Sequence, residues 1–279
     1  MLDHYSGATR VIFILGDPIA QVKAPAGLTR EFERRGQDSV VVPLQLAPAD
    51  VDAGIAALLP ARNVDGLIAT IPHKFALARC CATLSERSRF LGVANLARRN
   101  ADGSWHGDML DGEGFADPLV KAGCAIKGRR ALLVGAGGAG SAIALALLDR
   151  GVAQLAVHDV DTRRRDALIA KLESRYPGRI VAGSADPSGA DVVVNATPLG
   201  MKAGDPMPLD ISRLSPSTYV GEVVMKQETT AFLAAAKARG CETQVGIDML
   251  FEQIPAYLEF FGFPSATPSE LREVAKVDY

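Results

Sequence analysis

Residues 131–151 read ALLVGAGGAGSAIALALLDRG: a short apolar run, a glycine-rich turn over 135–140, and an alanine-rich stretch closed by Gly151. A strand, a tight turn and a helix in that order open a nucleotide-binding βαβ unit. Gly135 permits the turn, Gly137 lets the main chain approach a pyrophosphate, and Gly140 lets helix pack on strand. Gly138 and Ala139 complete the turn at the start of the helix, where free N–H groups and the positive dipole end attract phosphate. A lone GxGxxG is a weak signal, and its weight here comes from the strand before it, the helix after it, and the next strand, LAVHD at 155–159. That strand ends in Asp159, 19 residues beyond Gly140, close to the separation at which a carboxylate meets the adenine ribose. Such a group accepts hydrogen bonds from both ribose hydroxyls and repels a 2′-phosphate, which favours NAD over NADP. Arg163, Arg164 and Arg165 follow at the start of a helix and read as a solvated face.

The same alternation of strand and helix extends in both directions. Upstream lie VIFIL (11–15), a helical run near 25–36, VVVPLQL (40–46), a helix near 48–59 and GLIATI (66–71). Downstream come a helix near 162–174, RIVAG (179–183), DVVVNAT (191–197), YVGEVV (219–224) and a helix over 229–239. Two further helical segments, near 247–261 and 268–276, end the chain. Alternation of this kind requires crossover connections, so the predicted class is α/β with two mostly parallel, doubly wound sheets. The rhythm breaks at RRNADGSWHGDMLDG (98–112), which places the domain junction there. The expected domains are 1–110 with 247–279, and 111–246, the last helices packing back on the first domain. TPLGMKAGDPMPLD (197–210) reads as a long functional loop.

With 279 residues, 48% hydrophobic and 22% charged, the chain is long enough for two cores without disulfides or structural metal. Its 30 basic and 32 acidic residues give a net charge of −2 without a basic block, which excludes the phosphate contacts of nucleic-acid binding. Neither a membrane-spanning apolar run nor a signal-peptide start is present in the sequence, so a cytoplasmic protein is expected, as a monomer or homodimer. Cys80, Cys81, Cys124 and Cys241 lack the spacing of a disulfide framework, and His4, His73, His106 and His158 lack metal-ligand spacing. Reduced thiols and no metal are expected.

Seven stretches, in order, resemble the shikimate/quinate dehydrogenase family: GDPIAQVKAP (16–25), TIPHK (70–74), GVAN (92–95), DGEGF (111–115), GAGGAG (135–140), NATPLGM (195–201) and GIDMLFEQ (246–253). The resemblance implies an N-terminal α/β substrate domain, a Rossmann domain for a nicotinamide cofactor, catalysis in the cleft between them, and a place in aromatic amino acid biosynthesis. It also implies that Lys74 and Asp111 form the catalytic pair. The residues agree on their own terms. Lys74 follows the end of an expected strand, where α/β folds place ligands, and Asp111 stands at the expected junction. An ammonium within reach of a substrate hydroxyl can carry its proton while hydride leaves the same carbon. By the same resemblance Thr70, Asn95 and Gln253 hold substrate hydroxyls, Asn195, Thr197 and Met201 lie along the nicotinamide, and Gly246 and Met249 close the cofactor site.

The pattern fails where the family has a pair of hydroxyl side chains that clamp the substrate carboxylate. Here those positions are Val22 and Ala24. Ile68 and Met109-Leu110 replace further polar residues, and Gln21, Lys23 and His73 are the candidate replacements for the lost contacts. The implied enzyme is therefore a divergent member that oxidises a cyclic or other small secondary alcohol. Two alternatives stand beside it: an enzyme resembling methylenetetrahydrofolate dehydrogenase, which DGEGF and GIDMLFEQ fit poorly, and a non-catalytic NAD-binding sensor.

Overall fold

The computed structural model describes residues 5–227 and 229–275. They divide into two compact units, one running to Leu110 and resuming at Gln253, the other spanning Asp111–Glu252.

The first unit contains β1 (Arg10–Gly16), α1 (Ala24–Arg34), β2 (Ser39–Gln45), α2 (Val51–Leu58), β3 (Val64–Ala69), α3 (Lys74–Cys80), β4 (Thr83–Leu84), α4 (Glu86–Leu91), β5 (Leu96–Arg99) and β6 (Trp105–Asp108). Its sheet has the order β2-β1-β3-β5-β6-β4. β1 pairs in parallel with β2 and β3, as the apolar runs joined by helices require. β5, however, is antiparallel to both β3 and β6. The stretch assigned to the junction thus contains a hairpin, closed by a turn in which Asn100 and Ser104 bond through their main chains. The sheet is mixed: β4 pairs with β6 in parallel, so only the two pairings made by β5 depart from the expected parallel arrangement. Only Trp105 and Gly107 of β6 are buried, so a four-residue strand with charged neighbours looks like a polar loop. The core gathers Leu15, Ile55, Leu67, Leu77 and Ala94.

The second unit contains α5 (Asp111–Lys121), β7 (Arg130–Val134), α6 (Gly138–Asp149), β8 (Gln154–His158), α7 (Thr162–Glu173), β9 (Ile180–Ala182), β10 (Val192–Asn195), β11 (Tyr219–Glu222), α8 (Ala231–Ala238) and β12 (Glu242–Gln244). The sheet order β12-β11-β10-β7-β8-β9 is parallel throughout and reverses direction about β7, the switch point at which doubly wound sheets bind ligands. The edge strand β12 is absent from the sequence reading because three residues carry no period. Gly112 explains one glycine of DGEGF: a Cβ there would come within 2.4 Å of the Ala142 carbonyl oxygen, so α5 and α6 approach backbone to backbone. Two last helices are α9 (Gly246–Phe260) and α10 (Pro268–Ala275). The chain returns to the first unit within α9, at Gln253 rather than at 247.

Among the described residues no helix is long and apolar enough to cross a membrane.

Candidate active site

In the first unit Thr70 and Lys74 follow the carboxyl end of β3, Asn95 directly precedes the antiparallel β5, and Gln253 lies on α9. Thr70 comes directly after β3, and its main-chain N–H donates to Leu15 O of β1 at 2.8 Å. Gly16 is required beside it, because a Cβ there would meet the Thr70 methyl at 2.4 Å. Lys74, half-buried, is the first residue of α3, and its carbonyl accepts from Ala94 N at 3.0 Å. Asn95 is next along, with its carbonyl accepting from Ala69 N at 2.8 Å and its own N–H donating to Asp108 O at 3.0 Å. Main-chain bonds therefore stitch the segments that carry Thr70, Lys74 and Asn95. The side chain of Asn95, buried, accepts from Leu110 N at 2.9 Å and donates to the Tyr257 phenol oxygen at 2.9 Å. Tyr257 in turn donates to Gln253 Oε1 at 2.7 Å, which brings Gln253 into the same network.

His73 is 1% exposed, and its Nε2 is 2.8 Å from Leu46 O. That nitrogen ties the start of α3, where Lys74 stands, to the segment after β2. Gln21 Nε2 donates to Pro18 O at 2.7 Å, within its own loop. Val22 is half-buried and Ala24 is buried as the first residue of α1. Asp111, the other member of the expected catalytic pair, is buried and opens α5 in the second unit.

In the second unit the glycine-rich turn divides by role. Gly135 has φ +107°, and a Cβ on Gly140 would sit 1.9 Å from the Gly135 carbonyl oxygen. Gly137, the N-cap of α6, faces open space: an added Cβ would meet nothing within 4 Å. Gly138 and Ala139, half-buried, form the first turn of α6. A helix start with room before it suits the pyrophosphate of a dinucleotide. Asp159 is 7% exposed; its Oδ2 accepts from Ala136 N at 2.7 Å and its Oδ1 from Asp161 N at 2.8 Å. The carboxylate thereby locks the turn after β7 to the loop after β8, while each oxygen keeps a lone pair for a ribose hydroxyl.

Asn195 was expected along the nicotinamide. It is fully buried, its Oδ1 accepting from Thr197 N and Oγ1 at 3.1 and 2.6 Å and its Nδ2 donating to Leu199 O at 3.2 Å. It shapes the following loop from within, together with the Thr197 hydroxyl, which also accepts from Leu199 N at 3.1 Å; Thr197 and Met201 are half-buried. Gly246 allows α9 to start against Val224, whose carbonyl oxygen would lie 2.2 Å from a Cβ there, and Met249 is likewise interior.

Two residues escape the sequence reading. Tyr257 is one; its only signal is its place four residues after Gln253 on a helix, which puts both on one face. Glu222 is the other, a single carboxyl inside the apolar run YVGEVV. It is 1% exposed, accepts from Thr230 Oγ1 at 2.7 Å, and its Oε2 has no hydrogen-bond partner among the described residues. Burial pushes its pKa up to about 7, against the opposing hydrogen bonds from Thr230 and Asn195. Between the ordinary value of 4.5 and about 7 only the folded state holds this proton, so stability is expected to fall as pH rises through that window and to level off above it. Glu222→Gln, neutral at every pH, should flatten that slope and stabilise the protein at pH ~8 by up to roughly 3 kcal/mol. Urea unfolding at both ends of the window checks this; identical slopes in the two proteins would refute it.

Comparison with known proteins adds the following. Residues 14–97 match a family model described as the shikimate dehydrogenase substrate binding domain. Over 253 residues, 88% of each chain, the sequence is 35% identical to shikimate dehydrogenase (NADP(+)) of Rubrobacter xylanophilus. It is 34% identical to the enzyme of that name from Rhodospirillum rubrum, over 96% of this chain and 97% of the relative. The structure of quinate dehydrogenase from Corynebacterium glutamicum in complex with NAD is similar at a TM-score of 0.84, with 30% identity over 95% of this chain and 98% of that one.

Proposed function

The chain belongs to the shikimate/quinate dehydrogenase family and is a nicotinamide-dependent oxidoreductase acting on CH–OH; on that premise we propose that it works on a shikimate- or quinate-like small molecule. The observation that carries the reading is the stitching of Thr70, Lys74, Asn95 and Gln253, far apart in sequence, into one hydrogen-bonded region of the first unit. The nicotinamide, when bound, supplies or accepts the hydride. Lys74 and Asp111 are the proposed proton-handling residues: an ammonium can give its proton to a developing alkoxide or receive one from an alcohol, and a carboxylate supports that charge. Thr70, Asn95 and Gln253 hold the substrate's hydroxyls. Val22 and Ala24 bring no hydroxyl to the carboxylate, and lost charge-assisted bonds of roughly 1.5–3 kcal/mol each predict a raised KM for shikimate.

For the cofactor, the residues of this chain support NAD, although its curated relatives are named for NADP(+). Asp159 is fixed at the end of β8, Val160 beside it is 94% exposed, and Asp161 accepts from Arg163 N and Arg164 N as the cap of α7. Arg165 is paired with Asp166. A 2′-phosphate brought to this rim meets two carboxylates first. Initial rates with shikimate and quinate are expected to give a kcat/KM at least about tenfold higher with NAD than with NADP. Equal use of NADP would overturn the cofactor assignment. Silence with both substrates alongside tight NAD binding would turn the reading to the non-catalytic sensor.

A further inference from the structure

The loop that follows β10 is built on one saturated side chain. Thr197 N–H can only donate and Leu199 O can only accept, so Asn195 must turn Oδ1 to the first, at 3.1 Å, and Nδ2 to the second, at 3.2 Å. The Thr197 hydroxyl donates to the same Oδ1 at 2.6 Å and accepts from Leu199 N at 3.1 Å. The amide of Asn195 also donates to the carboxyl of Glu222, its partner in the parallel pairing of β10 and β11. Glu222 accepts in addition from Thr230 Oγ1 at 2.7 Å, and Thr230, the N-cap of α8, accepts from Leu233 N at 3.2 Å. Asn195 and Thr230 are fully buried and Glu222 is 1% exposed, so water competes poorly for these bonds.

We propose that Glu222 is a positioning residue for the cofactor: through Asn195 it holds the loop over 196–201 in the shape that receives the nicotinamide before the cofactor arrives. The inference rests on the proposed place of that loop along the nicotinamide. Two observations carry it. Both ends of the Asn195 amide are engaged, so withdrawing the Glu222 acceptor strands a buried N–H. Only a turn of the amide relieves it, and such a turn releases Thr197 and Leu199 together. The far part of the loop rests on the same group. Gly200, at φ +100°, is placed so that an added Cβ would come 3.7 Å from the Thr230 methyl and 4.0 Å from Val224 Cγ2, and its N–H is held by Asp205 Oδ2 at 3.0 Å. Glu222 thus ties the start of α8 and the root of the loop to one carboxyl, and a loop already in shape spares the cofactor the cost of ordering it.

The test uses Glu222→Met, Glu222→Ser, Glu222→Gln and Thr197→Val in the full-length protein. Readouts are the dissociation constants for NAD and for ADP-ribose, which lacks the nicotinamide, KM for shikimate and quinate at saturating NAD, and Tm. Methionine fills the space of the carboxyl and serine opens it, but neither brings an acceptor to Asn195. Both are expected to raise the NAD constant about fivefold or more, while ADP-ribose binding and the substrate KM stay within about twofold. Agreement between the two separates a lost hydrogen bond from lost packing, and either one serves where the other does not fold. Glu222→Gln keeps a carbonyl oxygen for both donors and is expected to bind NAD as the wild type does. Wild-type NAD affinity in the methionine and serine variants would overturn the proposal. An equal loss of ADP-ribose affinity would also overturn it, by reducing Glu222 to a general support of the fold. Thr197→Val deforms the loop directly. Unchanged NAD binding there means that the loop does not meet the nicotinamide, and the reading beneath the proposal fails. Weakened NAD binding in Thr197→Val beside intact binding in the Glu222 variants sinks the proposal alone.

Discussion

Lys74→Met is expected to lower kcat with shikimate or quinate by about three orders of magnitude while the dissociation constant for NAD stays within about twofold. The size follows from what a positioned acid or base contributes, typically 10²–10⁴ in rate. Selectivity follows from the structure. The Lys74 carbonyl is held by Ala94 N–H, and His73, the N-cap of α3, is fixed by Leu46 O, so the helix start keeps its shape whatever side chain follows. Methionine has a similar length and preserves the packing of the half-buried stem. The glycine-rich turn belongs to the other unit and is untouched. Steady-state rates paired with a fluorescence titration of NAD decide the matter. Turnover above about one-tenth of wild type would show that Lys74 is not the proton carrier.

What could be read in the sequence, and what could not, has a physical pattern. The βαβ unit around Gly135 was legible because close approach leaves no choice of residue: a side chain at 135 or 140 would strike main-chain atoms. The strands β1, β3 and β10 were legible because burial on both faces leaves runs of apolar residues, Ile12–Leu15, Leu67–Ala69 and Val192–Val194. The hairpin of β5 and β6 and the edge strand β12 were not, because three or four residues with a solvated face hold no periodicity. In the site, Lys74, Asn95 and Gln253 could be proposed because each lies in a stretch with a recognisable neighbourhood. Their connection could not, since it runs through Leu110 N–H and Tyr257, which only the fold brings to Asn95. The tie made by His73 was hidden for the same reason: its partner is a carbonyl on another strand's connection, and main-chain atoms leave no trace in composition.

Two alanine substitutions in one turn are expected to fail in opposite ways. Gly140→Ala places a methyl 1.9 Å from Gly135 O and 2.9 Å from Gly135 C, both main-chain atoms, so the turn itself must move. Gly135 cannot yield locally, because it is at φ +107° and is already within 3 Å of Ala196 for any added carbon. The displacement therefore spreads to β10 next door, at a cost of about 3 kcal/mol or more, and both Tm and NAD affinity should collapse. Gly137→Ala is different. Its φ of −75° suits alanine and no atom lies within 4 Å of the new methyl, so the unliganded protein should keep its Tm. The methyl instead fills the space before the first N–H groups of α6, where the pyrophosphate would sit, and NAD affinity should fall by at least about tenfold. Apo-protein Tm and NAD dissociation constants, measured on both variants, separate a glycine needed for packing from one needed for ligand. A Gly140→Ala protein with wild-type Tm would mean the turn has slack that its contacts deny. A Gly137→Ala protein that binds NAD normally would move the dinucleotide off this helix start and take the cofactor assignment with it.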